Sequence, residues 1–75
     1  MSNVKKLTVV VSAHRLDSYR SIEQQAHHQW RHALAEHGKP WRDAGIELLD
    51  SRPDTDLVDH RIYRFEATMI APPLQ

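Results

Sequence analysis

Six histidines and no cysteine in 75 residues make imidazole the side chain in unusual supply for chemistry. His28 and His32 stand four apart, and Glu36 follows four later, so a helix would stack two imidazoles and a carboxylate on one face. Such a row can share a metal ion, and histidine is a frequent zinc ligand. The row lacks the glutamate directly after the first histidine that a metalloprotease uses, and a single rod offers only these three ligands. The reading is therefore a solvated helix face without metal, and His28, His32 and Glu36 are the ligands that a metal bridging two subunits would use. Without cysteine there are no disulfides, thiolate sites or cysteine nucleophiles. The serines have no nucleophile elbow around them, and no glycine-rich phosphate loop occurs, which points to a non-enzymatic protein.

The helix that carries these histidines runs over 16–37 by its apolar pattern. At about 100° per residue, Tyr19, Ile22, Ala26, Trp30, Ala33, Leu34 and His37 fall in one sector. Asp17 or Ser18 is the expected N-cap, Gly38 the stop, and Pro40 forbids resumption. His37 lies on the buried sector, where it suits the negative end of the helix.

Strands are expected on either side of this helix. Positions 7–13 alternate, with Leu7, Val9, Val11 and Ala13 on one face and Thr8, Val10 and Ser12 on the other. A short second strand spans 46–50, a turn 51–56, and the best alternation in the chain covers 61–70. There Tyr63, Phe65, Ala67 and Met69 share a face opposite Ile62, Arg64, Glu66, Thr68 and Ile70. Leu57 and Val58 would extend either flank of the hairpin, and 71–75 is a proline-bearing tail. The expected fold is α+β, in the order β-α-β-β. It is a three-stranded antiparallel sheet of order 1-3-2 with one helix packed on one face, and residues 1–75 form a single domain. His14 and His60 stand at strand ends that could meet if the first and third strands pair, which spacing alone does not decide. Val10, Leu49, Ile62 and Ile70 are left on a partly apolar second face, and two sheet edges stay open.

Ten basic and ten acidic residues cancel, which removes any global field towards nucleic acid or an anionic membrane. Arg61 and Arg64 fall on different faces and have acidic neighbours, which also argues against nucleic acid. The charged start before an apolar run at 7–11 is too short for a signal peptide, so the expected address is the cytoplasm. Trp30 fits the buried sector at its margin, where packing in the core or at an interface is its ordinary role. Trp41 sits in a connector over 39–45, as a lid on the core or as a stacking surface for a planar ligand. Trp41, Arg64 and Trp30 are the residues expected to touch a ligand or partner.

The order of elements resembles that of dodecins, small flavin-binding proteins that form hollow dodecamers. Local matches are Ser21-Ile22-Glu23 opening the helix, Glu47-Leu48-Leu49-Asp50-Ser51-Arg52 running into the hairpin, and 63–69 in the last strand. In that family a tryptophan entering the second strand stacks on the isoalloxazine ring. Its nearest match is Trp41, with Arg42 to Gly45 intervening before the expected strand. Arg64 stands where the family carries a ligand-facing glutamine. The resemblance implies a self-associating binding module that holds a planar ligand such as a flavin. The alternative is an interaction factor, phage-encoded or regulatory, that docks on a larger host protein through its open edges.

Overall fold

The computed structural model describes residues 3–72. Three strands and one helix follow in the order β1 (Asn3–His14), α1 (Tyr19–His37), β2 (Arg42–Pro53) and β3 (His60–Ala71). The sheet is antiparallel throughout, with the expected order β1-β3-β2. β1 and β3 pair without interruption from Asn3 opposite Ala71 to His14 opposite His60. The predicted α+β fold with one helix on one face is the fold of the protein.

Ser18 is the N-cap: its side chain accepts a hydrogen bond from the Ser21 N–H at 3.2 Å, which satisfies one of the free donors of the first turn. Gly38 ends the helix at a φ of 71°, and its N–H donates to the carbonyls of Leu34 and Ala35. That left-handed backbone is what glycine tolerates and a side chain resists.

Three expected positions are corrected. The second strand begins at Arg42 and reaches Pro53, where 46–50 was expected, because β2 has no buried alternation to mark it. The turn shifts accordingly to 54–59, and Leu57 and Val58 lie in it as exposed side chains. Asp54 organises this turn by accepting from the N–H groups of Asp56 and Leu57. His37 and Tyr19 are exposed: they are the last and first residues of the helix, outside the buried stretch from Ile22 to Trp30. Of the tail, Ala71 is the buried end of β3, and residues 73–75 lie outside the described chain, as do Met1 and Ser2 of the charged start.

The core lies under the helix, between it and the β1–β3 seam. Val9, Val11 and Ala13 from β1, Ile22, Ala26 and Trp30 from α1, and Phe65, Ala67, Met69 and Ala71 from β3 are its buried members. β2 supplies only Ile46, partly buried. Ala26 and Ala67, both small, sit within the same cluster as the large ring of Trp30, so bulky and small groups interdigitate.

The molecule is long, 51 × 19 × 17 Å, with a radius of gyration of 14.4 Å. A compact domain of this length would give about 11 Å. Element geometry explains the difference. A strand of 12 residues spans about 40 Å, and a helix of 19 residues about 28 Å. The sheet therefore outruns the helix that covers it.

Candidate functional site

Two regions of the sheet remain after the core is assigned: its uncovered face, and the corner where the helix hands over to β2. On the uncovered face the strands set up rows of neighbours. Val4 lies opposite Ile70, Lys6 opposite Thr68, Thr8 opposite Glu66, Val10 opposite Arg64 and Ser12 opposite Ile62, and β2 adds Arg42, Asp50 and Arg52. Val10 is 47% exposed and Val4, Leu49 and Ile70 are also open to solvent. Apolar residues and charges thus alternate over a broad, uncapped surface, as the alternation predicted.

Two ion pairs cross this face, Arg64 with Asp50 and Lys6 with Glu66. The Arg64 guanidinium grips Asp50 with two donors, Nε to Oδ1 at 2.8 Å and Nη2 to Oδ2. That grip is the first cause holding the Asp50 carboxyl below its ordinary range, partly offset by desolvation. Lys6 reaches Glu66 at 3.3 Å. Ser12 donates to Asp54 at 3.1 Å; the turn's own N–H groups, led by that of Asp56, lower the Asp54 carboxyl. The Asp50 and Asp54 carboxyls are more acidic in the folded chain than in the unfolded one. Their stabilisation is therefore complete above the unfolded carboxylate range, near pH 4, and is lost as pH falls through the lowered folded values. Thermal melts from pH 7 to 2 should show a flat neutral limb and an acid decline. Arg64→Ala should return the Asp50 carboxyl upward and make that decline shallower; an unchanged Asp50 titration by NMR would show that the pair is not what acidifies it.

His14 and His60, whose meeting depended on the pairing of β1 with β3, lie with ring centroids 5.3 Å apart and planes nearly perpendicular. Backbone contacts hold both rings: His14 Nδ1 accepts from the Leu16 N–H at 3.1 Å, and His60 Nδ1 lies 3.0 Å from the Val58 carbonyl. On the helix, His32 approaches Glu36 at 3.5 Å as an exposed pair. His28 does not complete a set with them. Among the described residues no three histidine or carboxylate groups are placed to hold a metal ion.

The corner site is built around Trp41. Because β2 starts at Arg42, this tryptophan immediately precedes the strand, and the expected gap of 42–45 is itself strand, bent where Asp43 accepts from the Gly45 N–H at 2.8 Å. Trp41 is half-buried against the core, and the Lys5 ammonium sits 5.4 Å from its ring centroid. It is a lid with a cation resting on it. Lys39, Pro40, Trp41 and Arg42 line a shallow hollow of about 360 Å³, within the small-molecule range. A larger hollow, of about 570 Å³, is only the furrow between Arg20, Glu23, His27, Arg31 and their neighbours on the outer face of the helix.

Trp30 is corrected as a contact residue. It is 0% exposed, so no ligand or partner reaches it in the folded chain. Among the described residues its indole N–H finds no partner of full hydrogen-bond geometry. As a donor near the Asp43 carboxyl it is still the first cause that holds that carboxyl below its ordinary range, ahead of the Gly45 N–H, His27 and Arg31 and against desolvation. Arg64 and Trp41 do not converge within one chain: Arg64 projects from the uncovered face, while Trp41 packs with the core on the helix side. The residues that sequence reasoning missed are Lys5, Asp50 and Asp43. Of these, Asp50 was findable, as an acid opposite an arginine once the hairpin register is drawn.

No protein-family model, curated protein or solved structure matches this chain. No helix among the described residues is long and apolar enough to cross a membrane.

Proposed function

We propose that this protein is a small non-enzymatic binding module that self-associates through the uncovered face and the open edges of its sheet. The observation that supports this most is the mismatch of the two layers. A sheet about 40 Å long carries a helix that covers one face of it, and the other face combines exposed Val4, Val10 and Ile70 with two ion pairs formed within the chain. Lys6–Glu66 and Arg64–Asp50 already meet before the face is covered, which lowers the cost of desolvating those four groups. In its sharper form the reading follows the dodecin resemblance and seats a planar ligand such as a flavin on Trp41, with Lys5 displaced from the ring.

Native mass spectrometry of the purified chain at micromolar concentration tests the first part, with assemblies of two or more chains expected and a strict monomer defeating it. Titration with flavin while tryptophan emission is followed tests the second. Quenching is expected, and an unchanged emission removes the flavin while leaving self-association standing.

A second reading is favoured by one feature, the apolar tip at the other end. Val58 is 86% exposed, with Leu57 beside it, and the Arg15 N–H bonds the Asp59 carbonyl at 2.7 Å, tying this loop to the one that carries exposed Leu16. Such a tip suits docking on a larger protein, and a monomer retained by one specific macromolecule would be its signature.

A further inference from the structure

The two open edges of the sheet are unlike each other. The β2 edge is broken by register shifts between Asp43 and Ile46 and between Leu48 and Asp50, carries Gly45 at a φ of 121°, and closes on Pro53. Those are the devices that make an edge unfit for pairing. The β1 edge has none of them. Its register against β3 is continuous, and it contains neither glycine nor proline.

The backbone groups left free on that edge can be identified one by one. The Arg15 N–H donates to the Asp59 carbonyl, which fixes the phase of the ladder: odd-numbered positions of β1 turn their backbone groups to β3 and even-numbered positions turn theirs outward. At the end of the outward series His14 is already engaged. Its N–H donates to Asp17 Oδ2 at 3.1 Å and its carbonyl accepts from the Asp17 N–H at 2.9 Å. Among the described residues the series without a partner is therefore Val4, Lys6, Thr8, Val10 and Ser12, and its middle is Thr8.

We propose that a second copy of this chain pairs antiparallel along this edge, with a two-fold axis passing through Thr8 perpendicular to the sheet. This rests on the self-association reading and names the edge and register that carry it. Thr8 then faces the second copy's Thr8, Lys6 faces its Val10, and Val4 faces its Ser12. Every outward N–H and carbonyl of the series gains a partner, in about ten inter-chain bonds. On the helix side, Leu7 stands opposite the second copy's Val9 and Lys5 opposite its Val11. No charge faces its like. Centring the axis on Lys6 would oppose two ammonium groups, and centring it on Val9 would set Val4 against the already engaged His14. The two-fold places both helices on one side of a continuous six-stranded sheet. The match is of the strand with itself, which is why the occupant is a second copy and not an unrelated peptide.

Two variants test this with the whole chain. Thr8→Pro removes an outward N–H and leaves the bonds of odd positions to β3 in place. Thr8→Cys puts a single cysteine on the axis of a protein that otherwise has none. At an antiparallel bonded pair the Cα separation is about 5.5 Å, within disulfide reach. The expected results are a dissociation constant raised at least about tenfold in Thr8→Pro, and a covalent dimer from mildly oxidised Thr8→Cys but not from Glu47→Cys on β2. If Thr8→Pro fails to fold, the cysteine pair decides alone. An oligomer that cross-links through Glu47→Cys and not Thr8→Cys overturns the register while the self-association reading survives. A wild-type monomer overturns both.

Discussion

Trp30→Ala should cost this protein more of its stability than any other single side-chain truncation. The ring is completely buried between the helix and the β1–β3 seam, and removing such a ring costs about 3–5 kcal/mol in transfer and cavity terms. A domain of this length has about 4–11 kcal/mol in total, so one substitution takes from about a quarter to all of the margin. The neighbours around the space include Ala26 and Ala67, which have no side chain to extend into it. Trp30→Phe keeps most of the ring and discards an indole N–H that has no partner of full hydrogen-bond geometry among the described residues, so its cost should be well below that of alanine. It should also remove the leading cause of the low Asp43 carboxyl value, and the Asp43 titration should move upward. Urea unfolding of both variants, with NMR of Asp43, checks the pair. A Trp30→Ala protein within 1 kcal/mol of wild type would show that this ring is not the keystone of the core.

The degree to which sequence disclosed this fold follows from where burial is one-sided. β1 and β3 alternate because one face of each meets the helix, and the alternation in Leu7, Val9, Val11, Ala13 and in Tyr63, Phe65, Ala67, Met69 carried both the strand assignments and the order 1-3-2. β2 is almost wholly exposed, so nothing selects apolar residues at every second position, and its first residues, with a side-chain-capped bend at Asp43 and Gly45, read as connector. The helical wheel gave the direction of Ile22, Ala26 and Trp30 but not where along the helix burial begins and ends, which is why Tyr19 and His37 share the sector and not the burial. The candidate site was legible to the same extent. The bare face and the His14–His60 contact follow from register. The pairings of Lys5 with Trp41 and of Trp30 with Asp43 depend on how a connector folds back on the sheet, for which periodicity holds no information.

Ile62→Lys should abolish any assembly larger than the edge-paired dimer. Ile62 stands on the central strand of the uncovered face, between Ser12 of β1 and Arg52 of β2, away from the proposed β1 edge. In an isolated chain the site is half-buried, and a lysine there can reach water, so the folded chain should lose no more than about 1 kcal/mol. If a second sheet lies on this face, the same ammonium is buried beside Arg52 without an anion of its own. An uncompensated buried charge costs about 3–5 kcal/mol, which weakens association at least about a hundredfold. Edge pairing makes the consequence sharper, because it joins two uncovered faces into one surface twice as wide, and covering that surface takes another dimer. Face and edge are thus separable by mass. Ile62→Lys should be trapped at two 8.7 kDa chains, and Thr8→Pro should lose the edge contact even where faces still meet. Sedimentation over a range of concentrations reads both. An Ile62→Lys protein that assembles as wild type does would confine self-association to the edges and leave the apolar face in water.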